Sequence, residues 1–306
     1  MKLLSWNVRV LGNPQTVRRL RHSLKQHHPQ VVFLMETKLN KNGMEKVRRS
    51  CGFQFGIDVD SIGSKGGLSQ SWLGKVNITL RSFSNRHIDV FVEEGEVGKI
   101  WRLTGFYGSP YSQDRNAAWN LLRQLRNQGD YPWLVCGDFN EILYGFEKKG
   151  GLPREERRME AFRQVLDDCN LVDLGYSGWW FTWERGNFLE INVQERLDRG
   201  LATEQWSALF PNNLIRHLPH SFSDQCPILL DTAYKNGEAV KRKFKFEAWW
   251  VLEETFFSET KRIWENSTGD LVNKLEILKK KLEKWGARIQ SKNENRGFDF
   301  KTARIT

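Results

Sequence analysis

Trp133-Leu134-Val135-Cys136-Gly137-Asp138-Phe139-Asn140 is a run of four apolar residues followed by a glycine, a carboxylate, an aromatic and an amide. The run is short and sharply bounded, which predicts a buried strand over Trp133–Cys136. In layered α/β folds, sites gather at the carboxyl ends of strands, where Asp138 and Asn140 would stand. An ordinary Asx turn would explain Gly137-Asp138-Phe139-Asn140 equally well. Other runs, however, end in the same manner. Leu3–Trp6 ends at Asn7, Val31–Met35 at Glu36, and Trp101–Phe106 at Tyr107. Asp198, in Glu195-Arg196-Leu197-Asp198-Arg199, and Asp224, after Ser223, extend the series. A surface ion pair with the flanking arginines would account for Asp198 taken alone. Together the residues are carboxylates and amides without a cysteine. Hard oxygen donors of that kind suit Mg²⁺ (or Mn²⁺) rather than Zn²⁺.

The surrounding sequence alternates such runs with amphipathic stretches. Asn13-Pro14 reads as an N-cap with proline at N1, and Val17, Leu20 and Leu24 recur at helical spacing until Pro29. Helices are expected over 114–127, with Trp119, Leu122 and Leu125 on one side, and over 155–169, burying Met159, Phe162, Val165 and Leu166. Strands are expected over Val76–Leu80, Ile88–Val92 and Ile100–Tyr107, with further short runs around Trp179–Trp183, Glu195–Leu201 and Pro227–Leu230. This pattern predicts a layered α/β domain with two sheets packed face to face.

Beyond that region the character changes. Lys241-Arg242-Lys243-Phe244-Lys245 is basic, and Leu271, Leu275, Leu278, Leu282 and Trp285 then alternate by four and three. Two heptads are too few to assert a coiled coil. An amphipathic helix is expected, its 271–285 seam offering a face to a partner helix. From Ser291 the chain is polar and expected to fray.

Composition sets the outer bounds. The 306 residues hold 39% hydrophobic, 12% aromatic and 27% charged side chains, which excludes a disordered tail, a collagen-like fibre and a membrane channel. No apolar stretch approaches a membrane span. The Met1–Asn7 opening is too brief an apolar run for a signal peptide, so a nuclear or cytoplasmic rather than secreted protein is expected. Scattered Cys51, Cys136, Cys169 and Cys226 support neither a disulfide framework nor a zinc cluster. Lys plus Arg outnumber Asp plus Glu by 47 to 37, favouring a polyanionic partner such as DNA. From residue 235 onward the balance is 17 to 11, so most of the excess lies outside the α/β region.

Ser5-Trp6-Asn7, Met35-Glu36-Thr37-Lys38, Gly105-Phe106-Tyr107, Gly137-Asp138-Phe139-Asn140, Arg196-Leu197-Asp198-Arg199 and Ser223-Asp224 follow the order of one superfamily. The chain resembles the endonuclease/exonuclease/phosphatase superfamily, which includes apurinic endonucleases. More closely, it resembles the endonuclease domain of plant LINE-type non-LTR retrotransposons, through Leu11-Gly12-Asn13-Pro14, Phe181-Thr182-Trp183 and Cys226-Pro227-Ile228. The likeness covers residues 1–232. Residues 233–306, with Phe244-Lys245-Phe246-Glu247 and Trp249-Trp250, are similar to the linker that precedes reverse transcriptase in those elements. The resemblance implies a four-layer α/β sandwich, two packed β-sheets flanked by helices, with a C-terminal helical extension, and Mg²⁺-dependent nicking of DNA.

By the same resemblance, Glu36 would bind the metal with Asn7 beside it. Asp138 would orient or deprotonate the attacking water, Asn140 and Tyr107 would contact the scissile phosphate, and Thr182 would help shape the site. Asp198 and Asp224 would lie beside the family's catalytic histidine. That histidine is Gln225 here. A glutamine offers N–H donors but no titratable proton and no charge, and losing such a group commonly costs about 10²–10⁴ in rate. Val10, where the plant elements usually have glycine, is expected to alter the turn after Asn7. Gly66–Trp72 is polar where relatives have an apolar strand, so Ser69, Gln70 and Ser71 would be costly if buried. Arg18, Arg19, Arg21 and Lys25, and Lys148-Lys149 through Arg154 and Arg157-Arg158, are candidate phosphate contacts. Trp179-Trp180 and Trp183 could stack on unpaired bases, although core packing is the expected role. The expected function is an impaired nicking endonuclease. The alternatives are a non-catalytic nucleic-acid-binding remnant or a small-molecule phosphatase of the same superfamily.

Overall fold

The structure is a computed structural model that describes residues 1–63, 65–94, 99–186, 192–219, 223–234, 250, 253 and 255–294. It divides into two compact units, Met1–Lys235 and Asn236–Thr306.

The first unit opens with a strand, a helix and a strand: β1 (Lys2–Asn7), α1 (Pro14–His27) and β2 (Val31–Met35). The Asn13 side chain caps α1 by accepting from Gln15 N, Pro14 occupies the first turn, and His28 ends the helix in the left-handed region. The connection is a parallel crossover, β1 pairing with β2 from Leu3–Val31 to Asn7–Met35. There follow α2 (Lys41–Ser50), β3 (Phe55–Ile62), β4 (Lys65–Trp72), β5 (Asn77–Phe83), β6 (His87–Glu94) and β7 (Lys99–Tyr107). A second parallel crossover joins β7 through α3 (Arg115–Arg126) to β8 (Trp133–Asp138). Then come β9 (Lys148–Lys149), α4 (Glu156–Asp168), β10 (Val172–Asp173), β11 (Ser177–Gly178), β12 (Trp183–Arg185), β13 (Val193–Glu195), β14 (Asp198–Ala202), α5 (Glu204–Leu209), β15 (Leu214–His217) and β16 (Ile228–Asp231).

Two large sheets result. One runs β11-β15-β16-β1-β2-β4-β3, the other β10-β14-β8-β7-β6-β5, with β12-β13-β9 as a small third sheet. Leu3, Phe33, Met35 and Leu68 of the first sheet face Ile88, Val90, Trp101, Leu103 and Leu134 of the second in one core. Alternate residues point outward: Leu4, Trp6, Val32 and Leu34 pack with Leu20, Leu24 and Met44 of the helices. On the far side Phe106, Trp133 and Val135 pack with Trp119, Leu122, Phe162 and Val165. Strands buried on both faces read as continuous apolar runs, which is why these were visible in sequence. The arrangement is the expected four-layer α/β sandwich with C-terminal helices.

Three features of the unit differ from expectation. Val10 does not hold the strained position of the first turn; Arg9 does, at φ 57°. The Glu195–Leu201 run is two strands, broken at Arg196-Leu197. Gly66–Trp72 is a central strand despite its polarity, with Ser69, Gln70 and Ser71 all buried. Ser69 and Ser71 face the α2 side and are satisfied there: Ser69 donates to Asp58 Oδ1 over 2.7 Å, and the two hydroxyls lie 3.3 Å apart. Gln70 shares its face with Leu68 in the inter-sheet core, and neither amide atom finds a partner among the described residues.

The second unit has α6 (Phe256–Glu265) and α7 (Leu271–Glu294). Phe256 and Ile263 pack on Leu282, Trp285 and Trp250. Gly286 makes room for Trp250, whose ring would lie 2.6 Å from a Cβ there. The 271–285 seam is therefore half covered by its own chain: Leu282 and Trp285 are buried, whereas Leu271 and Leu275 are exposed. Lys241–Lys245, Phe244–Glu247, Trp249 and the tail beyond Glu294 lie outside the described residues. No helix among the described residues is long and apolar enough to cross a membrane.

Candidate active site

Both parallel crossovers end at the same place. β1 ends in Asn7, β2 leads into Glu36, β7 ends in Tyr107 and β8 in Asp138. Tyr107 is the register partner of Asp138 on one side, and Asp198, at the start of antiparallel β14, is its partner on the other. Close approach of β7 and β8 requires Gly137, at φ 155°, because a Cβ there would lie 1.9 Å from Phe106 O.

Hydrogen bonds join the residues across the two sheets. Asn7 Nδ2 donates to Glu36 Oε1 (3.1 Å) and to Asp138 Oδ2 (3.0 Å). Tyr107 donates its hydroxyl to Glu36 Oε1 over 2.7 Å. Gln225 Nε2 donates to Asp138 Oδ2 over 2.9 Å, and the Asn140 backbone N–H donates to Oδ1 over 2.8 Å. Asn140 then anchors its side chain on Gly108 O at 3.1 Å. Trp6 Nε1 holds Gln225 O, and Ser223 Oγ donates to Asn7 O. Of the residues proposed from sequence, Asn7, Glu36, Tyr107, Asp138, Asn140 and Gln225 thus converge.

The backbone is strained at the same points. Arg9, Glu36, Lys38 and Asn140 all have φ between 52° and 57°, the left-handed region that non-glycine residues avoid. Such residues cost about 1–3 kcal/mol each and cluster at functional sites.

Electrostatics separates the carboxylates. Asp138 is fully buried, and burial pushes its carboxyl up to about 6 despite the donors from Gln225, Asn7 and Asn140. Burial, followed by the charge of Asp138, pushes Asp198 well above the usual carboxylate range. Both Asp198 oxygens lack a hydrogen-bond partner among the described residues. Burial and the neighbouring Glu36 and Asp138 charges raise the Tyr107 phenol well above its ordinary value, so it remains a donor.

Other expectations change. The arginines flanking Asp198 do not pair with it. Arg199, fully buried, holds Glu147 and Asp173, as does Arg196, because strand alternation turns Arg199 to the opposite face. Asp224 Oδ2 accepts from Arg9 Nη1 (2.5 Å) and Trp183 Nε1 (2.9 Å). Thr182 is fully buried, and its hydroxyl accepts the Leu197 and Asp198 backbone N–H groups at 2.9 Å. Lys148 is tied to Glu195, and Arg154 to Glu195 and Glu141, so these cations are internally neutralised. Lys149 and Arg18 remain exposed. Trp179 and Trp180, expected in the core, are instead 67% and 51% exposed. His217 stacks on Tyr176 and bonds Trp179 O, and burial lowers its imidazole to about 4. His220 lies outside the described residues.

Sequence reasoning missed Arg9. It presents a half-exposed guanidinium beside Asp224, and its backbone N–H donates to Asn7 Oδ1 over 3.1 Å. The Asn7 oxygen thus accepts one hydrogen bond, and its nitrogen donates to Glu36 and Asp138. Glu36 Oε1 takes both donors, leaving Oε2 without a hydrogen bond among the described residues. No group of three His, Cys, Asp or Glu residues able to hold a metal occurs among the described residues. The donor set fits Mg²⁺ in its usual mode, one carboxylate with retained waters; Glu36 would hold it, with Asn7 beside it.

A family model described as "Endonuclease/Exonuclease/phosphatase family" matches residues 4–224. Among curated proteins none matches. Among solved structures, the AP endonuclease LMAP from Leishmania major is similar with TM-score 0.59 and 15% identity over 75% of this chain and 86% of that one. A 3′ phosphatase, NExo from Neisseria bound to a product DNA hairpin, gives TM-score 0.60 and 16% identity over 76% and 100%. The endonuclease domain of TRAS1, a telomere-specific non-LTR retrotransposon, gives TM-score 0.57 and 14% identity over 75% and 97%.

Proposed function

The chain belongs to the Endonuclease/Exonuclease/phosphatase family, and on that premise we propose that residues 1–232 derive from a retrotransposon-type DNA-nicking endonuclease whose chemistry is impaired at Gln225. Residues 233–306 are read as the helical linker remnant of such an element. The observation that supports this most directly is the bond from Gln225 Nε2 to Asp138 Oδ2.

In-line attack on a phosphodiester needs a base or orienter for water and positive charge where the phosphate oxygens gain charge. Asp138, buried and raised to about 6, is suited to hold the attacking water. Tyr107 and the Asn140 side chain supply donors at the mouth of the same strand ends. A divalent cation on Glu36 would supply Lewis-acid charge to the phosphate. Gln225 replaces a proton carrier with an amide that saturates the would-be base. Asp138 then holds three N–H donors, and Asp198 none among the described residues.

Supercoiled-plasmid nicking with Mg²⁺ or Mn²⁺ tests this reading. Little activity is expected from the parent chain and an increase of about 10²–10⁴ from Gln225→His, abolished by Asp138→Ala. Parent nicking that Asp138→Ala removes would overturn the impairment. DNA binding with no cleavage in either form would favour the non-catalytic remnant, and turnover of a soluble phosphomonoester alone would favour the phosphatase.

A further inference from the structure

The second unit has a charge arrangement that the nuclease reading does not use. α6 and α7 enclose an open cleft of about 560 Å³, lined by Glu259, Arg262, Lys281, Lys284 and Arg288. Glu259 is bound to Arg262 at 2.6 and 2.8 Å. The other cations are exposed, and the ion pairs of this unit, Lys261–Glu265, Arg262–Glu259 and Lys279–Glu276, include none of them among the described residues. Four cations thus line one cleft against a single carboxylate. Packing fixes this convergence: Leu282 and Trp285, each one residue on from a cleft lysine and so ~100° round the helix, are buried against Phe256, Ile263 and Trp250.

We propose that the α6–α7 cleft binds the phosphate backbone of a nucleic acid independently of sequence and of the nuclease site. Lys281, Lys284 and Arg288 stand at i, i+3 and i+7. At ~1.5 Å per residue they span about 10 Å, roughly three nucleotides of one strand at ~3.4 Å each. An anionic membrane surface is the poorer fit. A helix that lies in a bilayer interface inserts its apolar face, and beside these cations the apolar side chains Leu282 and Trp285 are already covered by α6. The preference for a polynucleotide over other polyanions rests on the nuclease reading; the cleft itself does not.

Fluorescence anisotropy of a labelled DNA duplex of arbitrary sequence, titrated with the full chain in EDTA so that cleavage plays no part, tests the cleft. The triple variant Lys281→Gln, Lys284→Gln, Arg288→Gln is expected to weaken binding at least about tenfold at low salt. It should also flatten the slope of log K against log salt by about 2.7, at ~0.9 for each phosphate no longer neutralised. The triple variant Lys274→Gln, Lys279→Gln, Lys280→Gln removes the same charge from α7 outside the cleft and should change affinity less than about threefold. Unchanged binding in the first variant, or equal weakening in both, would overturn the proposal, as would tighter binding to phosphatidylserine vesicles than to duplex. If the first variant loses helicity by circular dichroism, the single Lys284→Gln repeats the test, with a slope change near 0.9 expected and none overturning it. A positive result here with no nicking by Gln225→His would sink the nuclease reading and leave the cleft standing.

Discussion

Gln225 donates its side-chain amide to Asp138 over 2.9 Å, while neither carboxyl oxygen of Asp198, the register partner of Asp138 across β8 and β14, finds a hydrogen-bond partner among the described residues. Of this pair of buried acidic groups, Gln225 satisfies one.

An imidazole in this position would meet the negative charge of Asp138, which raises its pKa above the ordinary ~6.5. The nicking rate of Gln225→His is therefore expected to fall on the alkaline side, as the imidazolium loses its proton above pH 7. Residual parent activity should lack that limb. Rates measured from pH 6 to pH 9 check this; a flat profile for the variant would sink the charge argument.

Asp198 should destabilise the fold progressively as pH rises. Its folded pKa is raised above the unfolded value, so the proton is retained on folding and released on unfolding. Stability from this group is present below the ordinary carboxylate range and is lost as pH rises towards the folded pKa. Asp198→Asn does not titrate. It is expected to melt above the parent by a margin that widens between pH 5 and pH 8, reaching about 1–3 kcal/mol. Thermal melts at the two pH values decide it, and a constant margin would contradict it. In the Gln225→His background the same change should reduce the recovered rate.

Gln70 is a second internal mismatch. Its amide faces the inter-sheet core beside Leu68 with no partner among the described residues. Gln70→Leu, close in volume, should stabilise the protein by about 1–3 kcal/mol. Urea titration at constant m-value measures the gain; equal midpoints would indicate that the amide is satisfied.

Glu36 is the residue through which the site should hold a metal. Glu36→Gln is expected to abolish Mn²⁺ binding seen by electron paramagnetic resonance. Tyr107→Phe, which removes the 2.7 Å bond to Oε1, should weaken it about tenfold, as loss of a partner behind a ligand does. An unchanged Mn²⁺ signal in Glu36→Gln would move the site elsewhere.

The doubly buried strands were legible because burial on both faces leaves an uninterrupted apolar run, as in Val31–Met35 and Trp133–Cys136. α1 was legible from its cap and spacing, and α3 from its spacing. α2 was not: Lys41–Ser50 buries only Met44 and Arg48 and has Gly43 in its first turn. β3 is mostly half-exposed, and β4 is polar, so neither shows a strand pattern. At the site, residue types at strand ends were enough to nominate Glu36, Tyr107 and Asp138. What sequence could not give was direction. Which way Asn7 turns its amide depends on the left-handed Arg9, and the freedom of Lys148 depends on Glu195, 47 residues away. The exposure of Trp179 and Trp180 likewise depends on loop placement and not on hydropathy.

Asn7 and Glu36 belong to one sheet and Tyr107 and Asp138 to the other, so the bonds Asn7–Asp138 and Tyr107–Glu36 cross between the halves of the sandwich. The polar cluster is therefore a clasp between the two sheets. In many enzymes catalytic groups are retained against the interest of stability. Here a lineage relieved of selection for cleavage would still be held to most of these residues by the need to keep its two sheets docked. Gln225, whose side chain joins the clasp by a single donated bond, is the position at which chemistry would lapse while the architecture persisted.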